Sequence, residues 1–245
     1  MRRLILADLH SNLEALNAVL KDAADQYDEI VCCGDVAGYG GSPNEVIEWS
    51  RANCKTIVRG NHDRACGKDG NLLDFNERAG AAVIWTRDSL KAANCEWLSA
   101  LPPGPLVFDD YELAHGSPLD EDEYLIVSYD VAPLSGVIMR PVCFVGHTHV
   151  QSAWEWNRGG LRQLPVPRKE RERVIELAPD RMYLINPGSV GQPRDHDPRA
   201  GYAIWDTAHR TLKLRRVEYD IKSAQERIRA AGLHPWLADR LAFGR

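Results

Sequence analysis

The chain has 245 residues, of which 44% are hydrophobic and 27% are charged, and its formal net charge is −5. This composition is typical of a globular protein and gives no global reason to expect nucleic-acid binding. No stretch of the sequence approaches the ~20 consecutive apolar residues of a membrane-spanning helix.

The first sixty residues alternate between predicted strands and predicted helices. Apolar runs that end in polar clusters predict strands over 3–10, 29–35 and 55–63. Apolar residues at helical spacing predict helices over 12–25 and 43–53. This alternation indicates a parallel sheet with helices on its faces. In such sheets, functional groups collect just past the carboxyl ends of the strands.

The rest of the chain changes in pattern after a predicted helical region over 76–100. From 105–110 onward, short strands separated by turns are predicted over 111–116, 141–149, 151–157, 182–188, 201–207 and 212–220. They indicate a second sheet, mixed or antiparallel, followed by a closing helix over 221–232. We expect the weakest order in the acidic segment 117–130 and in the charged segment 166–176. Because no repeat or clear linker interrupts the pattern, we predict one domain spanning 1–245.

Oxygen and nitrogen donors stand where the predicted strands stop, most of them beside a glycine. They are Asp8, His10, Asp35, Asn61, His62, Asp63, His115, His147 and His149. Each alone is explained as a hydrogen-bonded turn or core residue, but their convergence at the strand ends favours a shared site. Carboxylate, amide and imidazole donors without thiolate suit Mn, Fe, Co, Ni or Zn. Asp35, between two clusters, is placed to bridge two ions about 3.5–4 Å apart, and a hydroxide shared by such ions is a strong nucleophile near neutral pH.

The six cysteines contain no CxxC pair. Cys32, Cys33 and Cys143 lie inside apolar, strand-like runs, where a thiol behaves as a small hydrophobic group. This usage indicates a reduced protein rather than a disulfide framework. The apolar run near the amino terminus is too short for a signal peptide. We therefore expect a cytoplasmic protein with no membrane partner.

Five short motifs occur in the chain in a recognisable order. DLH, GDVAGYG, GNHD, HG and GHTH stand at 8–10, 34–40, 60–63, 115–116 and 146–149. Together they resemble the motifs of the calcineurin-like metallophosphoesterase superfamily, and NPGSVGQPR at 186–194 is similar to a motif of its small bacterial and archaeal members. The resemblance implies an α/β fold, a four-layer αββα sandwich in which two mixed sheets are flanked by helices. It also implies a phosphoesterase that uses two divalent metal ions, with manganese favoured.

The resemblance further implies a role for each motif residue. One metal would be held by Asp8, His10, Asp35 and His149, and the second by Asp35, Asn61, His115 and His147. His62 would contact the substrate phosphate, as would Asn61, and it would stabilise the transition state or protonate the leaving alcohol. The ordinary pKa range of histidine suits that role.

Three further residues have two open interpretations each. Asp63 either orients His62 or is a turn residue. Arg194 either adds positive charge for a substrate phosphate or is a solvated surface arginine. Tyr39 either stacks on a nucleotide base or packs locally at the strand end.

The GDVAGYG motif departs from one branch of the superfamily. Its protein phosphatases carry an Asp and an Arg in the region where this chain has Gly38 and Tyr39. This difference favours a small substrate, a phosphomonoester or phosphodiester such as a nucleotide or a dinucleoside polyphosphate. The acidic residues at 120–123 and the mixed charges at 168–173 disfavour nucleic acid.

Two alternative functions remain at this stage. A non-catalytic interaction scaffold of the same fold is opposed by the full set of implied ligands together with His62. A nuclease is opposed by the low net basicity and by the lack of a basic, aromatic groove. The sequence predicts no particular oligomeric state.

Overall fold

The computed structural model describes residues 1–68 and 70–245. The strands are β1 (Arg2–Leu6), β2 (Glu29–Cys32), β3 (Thr56–Ile57), β4 (Leu106–Val107), β5 (Tyr111–Leu113), β6 (Val142–Phe144), β7 (Ser152–Asn157), β8 (Gly160–Leu164), β9 (Glu172–Glu176), β10 (Met182–Asn186), β11 (Ala200–Asp206) and β12 (Thr211–Val217). The helices are α1 (Leu13–Asp22), α2 (Pro43–Asn53), α3 (Asn61–Cys66), α4 (Glu77–Ser89), α5 (Ala92–Ser99), α6 (Ser128–Val131), α7 (Ile221–Ala230) and α8 (Pro235–Asp239), with 3₁₀ turns at Ala132–Gly136 and Arg240–Phe243. None of these described helices has the length and apolar character that crossing a bilayer requires.

The strands form two mixed sheets of six strands each. The order in the first sheet is β3-β2-β1-β11-β12-β9, and the order in the second is β4-β5-β6-β10-β7-β8. Strands β1, β2 and β3 run parallel to one another, as do β5, β6 and β10. Each sheet therefore has a parallel part, and the carboxyl ends of these strands supply the loops that carry the predicted ligands.

Alternation along the strands divides the core into layers. On β1, Leu4 and Leu6 pack with Leu16 and Val19 of α1 on the outer face of the first sheet. The neighbouring Ile5 belongs to the core between the two sheets. The outer face of the second sheet is covered in turn by the segment that contains α6. The predicted four-layer αββα sandwich is confirmed.

The acidic segment 117–130, where the weakest order was expected, is anchored to the second sheet by apolar residues. Its Leu125 is 4% exposed and packs with Val131 and Leu134 against Trp154 on the outer face of the second sheet. The segment is rich in charged residues, but its few apolar residues pack against the sheet and hold it in place.

The charged segment 166–176 was also expected to be weakly ordered, and it contains β9 instead. Strand β9 pairs with β12 as an edge strand of the first sheet. Ile175 points inward and is 6% exposed, whereas Val174 and Glu176 are exposed. Edge strands commonly carry charged side chains, so the charge that suggested poor order is compatible with a sheet edge.

The predicted helical region 76–100 contains two helices, and the Lys91 N–H between them donates to Asn44 Oδ1 of α2 at 2.9 Å. The strand predictions need two corrections. Strands β11 and β12 join the first sheet rather than the second, so the first sheet is mixed. Strand β8, which pairs with β7 as a hairpin, was not predicted.

Candidate metal centre

The seven predicted ligands come together where strands of both sheets end. Asp8 follows β1, Asp35 follows β2 and Asn61 opens α3 just after β3. His115 follows β5, and both His147 and His149 follow β6. The backbone ties these loops together, since the Asp8 N–H donates to the Gly34 carbonyl at 3.0 Å. The face-to-face arrangement of the sheets therefore brings distant motifs to one point.

Five of the seven residues have left-handed backbone conformations. Their φ angles are positive at Asp8 (53°), His10 (43°), Asp35 (54°), His147 (65°) and His149 (57°). Residues with a side chain seldom adopt this conformation, which costs of order 1–3 kcal/mol when it is held in place. Five left-handed residues in one place indicate that the surrounding structure holds each loop in a conformation that directs these side chains inward.

One group of donors contains Asp8, His10, Asp35 and His149, whose ligand atoms all lie within 4.8 Å of one another. His10 Nε2 lies 3.0 Å from His149 Nε2 and 3.5 Å from Asp35 Oδ2. Asp8 Oδ1 is 3.9 Å from His149 Nε2. This is the set that the resemblance to the superfamily implies for one metal.

A second group contains Asp35, His115 and His147, again within 4.8 Å of one another. His115 Nε2 lies 3.4 Å from Asp35 Oδ2 and 3.2 Å from His147 Nδ1. Asn61 Oδ1 is 3.3 Å from His115 Nε2, which places this amide oxygen beside the same group. Asp35 Oδ2 therefore belongs to both groups, the position that a bridging carboxylate requires.

Each imidazole is oriented by a backbone carbonyl on its outer side. The contacts are His10 Nδ1 to Ala37 O at 2.9 Å, His149 Nδ1 to Gln192 O at 2.6 Å, His115 Nδ1 to Cys33 O at 2.8 Å and His147 Nε2 to Asp122 O at 3.1 Å. A carbonyl oxygen can only accept, so each of these ring nitrogens carries a hydrogen. When such a ring is neutral, its opposite nitrogen presents a lone pair to the centre, as metal-binding histidines do.

The unpaired atoms of the centre fit divalent cations. Lone pairs 3.0 Å apart on His10 and His149 repel each other unless a cation lies near both. Asp8 Oδ2 and Asp35 Oδ2 are buried and have no hydrogen-bond partner among the described residues. Buried carboxylates are costly unless they are paired or bind a metal. The mixture of carboxylate, amide and imidazole donors suits borderline divalent metals.

The pKa shifts of the buried acidic and histidine side chains also fit a bound cation. Burial raises the pKa of Asp8 to about 7. Burial also acts to raise the pKa of Asp35, but the neighbouring His115 and His62 outweigh it and hold that pKa well below its ordinary value. Burial lowers the pKa of His115, yet the Asp35 carboxylate outweighs this and raises it to about 10. His115 thus holds a proton beside Asp35 at the place where a cation would replace it.

His62 lies beside the centre on the first turn of α3 and is 4% exposed. Its backbone N–H donates to Asp35 Oδ1 at 2.9 Å, and its ring packs 4.3 Å from the ring of Tyr39 and 4.8 Å from that of Phe75. Its Nδ1 is buried without a hydrogen-bond partner in the described part of the chain. Burial lowers the pKa of His62 to about 4, below the ordinary range assumed from the sequence, so the imidazole is neutral at pH 7.

Asp63 is engaged with the backbone. Its Oδ1 accepts from the Ala37 N–H at 3.0 Å, and its Oδ2 accepts from the Gly60 N–H at 3.1 Å. No hydrogen bond joins it to His62 within the residues that the structure describes. These contacts favour the turn role that the sequence left open and count against an orienting role.

Tyr39 packs locally at the edge of the centre. It is 8% exposed, and its ring lies 4.7 Å from the ring of His10 in an edge-on contact. A ring enclosed in this way is not free to stack on a nucleotide base. The structure therefore favours local packing for Tyr39.

Arg194 faces the centre rather than the solvent. Its guanidinium donates to Gln192 Oε1 at 2.9 Å, and Cζ lies 5.6 Å from the centroid of the Tyr39 ring. After burial, its charge is the largest cause of the lowered pKa of His149. It lines a cleft over the centre together with Asp35, Tyr39, Asn61, His62, Asp74, Phe75, Asn76, Ala79, Tyr124, His147 and His149. This placement favours a substrate-binding position over a solvated one.

The acidic segment borders the site, as its position directly after His115 predicts, but its individual contacts there were not predicted. The ring of Tyr124 lies 4.0 Å from that of His147, and the Asp122 carbonyl orients that histidine. Glu121 pairs with Arg59 and Arg64, so the negative charge of this segment is partly neutralised. The only signal in the sequence was that the segment directly follows His115.

Gly60 is a position where a side chain would displace a predicted ligand. A Cβ atom there would lie 2.1 Å from Asp35 Oδ1, closer than two non-bonded atoms can approach. We expect Gly60→Ala to shift Asp35 and to reduce bound metal, measured by elemental analysis of the purified protein. Gly136→Ala is the control, since a Cβ at Gly136 meets nothing within 4 Å. Full metal content in Gly60→Ala would show that the position of Asp35 is not required.

Comparisons with known proteins agree with this geometry. A family model described as the calcineurin-like phosphoesterase superfamily domain matches residues 1–210. An uncharacterized protein from Methanocaldococcus jannaschii is 39% identical over 253 residues, covering 98% of this chain and 97% of the relative. The crystal structure of a metallophosphoesterase from Sphaerobacter thermophilus is 38% identical, with a TM-score of 0.88 over 100% of this chain and 99% of the other.

A more distant structure shares the fold alone. A hypothetical protein from Pyrococcus horikoshii is 21% identical and matches 100% of this chain and 98% of its own with a TM-score of 0.77. The family model and the two relatives near 40% identity each extend over most or all of the chain. The chain therefore belongs to the calcineurin-like phosphoesterase superfamily.

Proposed function

We propose that the protein is a dinuclear metal-dependent phosphoesterase that hydrolyses a small phosphomonoester or phosphodiester, such as a nucleotide or a dinucleoside polyphosphate. The observation that carries the proposal is the position of Asp35 Oδ2. This buried oxygen lies 3.5 Å from His10 Nε2 and 3.4 Å from His115 Nε2, so it faces both donor groups at once. Membership of a superfamily of phosphoesterases supports the same assignment.

The donor set supports two divalent ions, for which manganese is our first choice. Asp8, His10, Asp35 and His149 would hold one ion, and Asp35, Asn61, His115 and His147 would hold the other. Bound ions of this kind lower the pKa of water from ~15.7 toward ~7 and stabilise the negative charge of a reacting phosphoryl group. The donors contain no thiolate, which agrees with a borderline rather than a soft metal.

Side chains around the centre would position the phosphate. His62 is neutral at pH 7 and borders the cleft, so it can donate one hydrogen bond to a phosphoryl oxygen or to the leaving oxygen. The Asn61 side chain turns its oxygen toward His115, which leaves its NH₂ group available as a donor. Arg194 supplies a positive charge at the rim of the cleft.

The surroundings of the centre support a small substrate. Phe75 and Tyr124 line the cleft, and Arg194 is the one arginine or lysine among the described residues that line it. The net charge of −5 also opposes binding of an extended polyanion. A nucleotide or another small phosphorylated metabolite fits these features better than nucleic acid.

A direct assay tests this proposal. The purified protein, stripped with a chelator and reloaded with Mn²⁺, should hydrolyse p-nitrophenyl phosphate or bis-p-nitrophenyl phosphate, and a panel of nucleotides should then identify better substrates. Activity should disappear on chelation and return with metal. If the protein binds metal but hydrolyses no ester in the panel, the catalytic proposal is wrong, and an interaction scaffold becomes the better interpretation.

A further inference from the structure

The acidic segment folds back against the second donor group, the one that contains His115. A Cβ atom at Gly116 would lie 2.7 Å from the carbonyl oxygen of Glu121, so the chain returns closely over this glycine. The turn brings the Asp122 carbonyl to the outer side of His147, whose Nε2–H donates to it at 3.1 Å. The acidic segment is therefore in direct contact with a predicted metal ligand.

His147 differs from the other three imidazoles of the two donor groups in how its ring is oriented. The carbonyls that orient those three rings belong to Ala37, Gln192 and Cys33, which are buried. Asp122 is partly exposed, and its side chain is 38% exposed. The orientation of His147 therefore depends on what holds the acidic segment in place.

Two arginines hold the acidic segment by ion pairs. Arg64 Nη2 lies 2.8 Å from Asp122 Oδ2 and 3.1 Å from Asp122 Oδ1, so it contacts both carboxylate oxygens. Arg64 also pairs with Glu121, as Arg59 does at 2.9 Å. The four side chains are between 16% and 38% exposed, and solvent screens part-buried pairs less than pairs on the open surface.

Arg64 also lies on the helix that carries a ligand of the same group. Helix α3 begins at Asn61, whose Oδ1 is 3.3 Å from His115 Nε2, and Arg64 follows it by three residues. Residues three apart are neighbours on a helix surface. The ion pair between Arg64 and Asp122 therefore connects the helix of Asn61 with the residue that orients His147. It fixes two donors of the second group relative to each other, one after a strand of each sheet.

We propose that Arg64 is a positioning residue for the metal of the second donor group. Through its ion pair with Asp122 it holds His147 in the orientation that binds this ion, and it does not contact the ion itself. The metal beside His10 and His149 does not depend on Arg64, because buried carbonyls orient both of those rings. The inference rests on the two-ion site of the proposed function.

Calorimetric titration of the chelator-stripped protein with Mn²⁺ tests the inference. The unsubstituted protein should show two dissociation constants, and the one that His147→Ala abolishes belongs to the second group. We expect Arg64→Met to raise that constant by about 10-fold, the lower end of the range for loss of a group that orients a metal ligand, and to leave the other unchanged. Arg64→Lys should recover part of the loss, since lysine keeps the charge but not the planar guanidinium.

Asp122→Asn is the second variant, because it weakens the ion pair but keeps the main-chain oxygen that accepts from His147. It should raise the same constant, and it decides the test alone if Arg64→Met does not fold. The double variant should add little to either single change, as expected when two residues act as one pair. Arg229→Met is the matched control, since it breaks an ion pair of 2.7 Å with Asp239 between α7 and α8 and should change neither constant.

The outcomes separate this inference from the proposed function. If Arg64→Met leaves both constants unchanged or weakens both equally, or if Asp122→Asn has no effect, the inference is overturned while the proposed function stands. If the two ions respond as expected but the loaded protein hydrolyses no ester, the proposed function fails and the positioning role of Arg64 stands. A protein that binds fewer than two ions would overturn the inference together with the dinuclear centre.

Discussion

Replacing Asp35 with Asn is expected to lower kcat/KM for p-nitrophenyl phosphate by at least ~10²–10³-fold and to remove bound metal from both positions. The reason lies in how the side chain is held. Asp35 Oδ1 accepts the His62 N–H at 2.9 Å, so in the variant the amide oxygen must occupy this position. The NH₂ group then takes the place of Oδ2, between His10 and His115.

An NH₂ group at that place cannot bind a cation. It would instead donate hydrogen bonds to the lone pairs of the two imidazoles, which lie 3.5 and 3.4 Å from the present oxygen. The variant should therefore fold, with a melting temperature in chelator close to that of the unsubstituted protein. Loss of activity would then reflect loss of the metal sites rather than loss of structure.

The measurement combines elemental analysis with initial rates in Mn²⁺. Asp88→Asn, at an exposed position on α4, is the control for the chemical change and should keep both metal and activity. An Asp35→Asn protein that retained two ions, or that retained most of its activity, would contradict the bridging role of Asp35.

Replacing His62 with Gln is expected to lower kcat by about 10²–10⁴-fold, the range for loss of a positioned acid or hydrogen-bond donor in the transition state. His62 is not in either donor group, so both ions should stay bound. Its imidazole contributes chiefly when charge moves to the leaving oxygen, and the change in KM should be small compared with the change in kcat.

His209→Gln provides the control for this substitution, because the His209 side chain is 79% exposed and pairs with Asp206 far from the centre. Steady-state rates and metal content would be measured for both variants. If His62→Gln lost metal in proportion to activity, His62 would be supporting the metal centre rather than the substrate. Full activity in His62→Gln would show that the His62 side chain has no role in catalysis.

The part of the site that could be predicted from the sequence consists of side chains in short motifs. Asp8, His10 and the His147–His149 pair each stand directly after a buried strand, and the ends of parallel strands meet at one edge. Their meeting could therefore be inferred without knowing the loops. The same logic could not separate the two roles of Asp63, because its engagement with backbone amides depends on the local shape of the loop.

The part that could not be predicted comes from groups without a sequence signature. The carbonyls of Gln192 and Asp122 orient His149 and His147, but every residue has a carbonyl. Leu237 and Leu241 share an apolar cluster with Tyr39 at the edge of the cleft, a contact between segments near opposite ends of the chain. The neutral state of His62 depends on its burial, which composition does not reveal.

The fold, like the site, could be predicted from the sequence only in part. Apolar runs predicted β1 and β2, and apolar residues at helical spacing predicted α1, with small errors at their ends, because burial in the core imposes these patterns. They did not reveal which sheet β11 and β12 join, since an antiparallel strand packs equally well beside β1 or in the second sheet. They also missed β9, because a strand at the edge of a sheet needs only one inward-facing apolar residue, here Ile175.

The arrangement of two ions around a shared Asp35 can be tested by locating the metal in crystals of two variants. Anomalous scattering from crystals grown with Mn²⁺ should show two ions in the unsubstituted protein. His147→Ala should lose the ion beside His115 and keep the ion beside His10, and His149→Ala should do the reverse. A single ion in the unsubstituted protein, or loss of the same ion in both variants, would contradict the dinuclear centre described above.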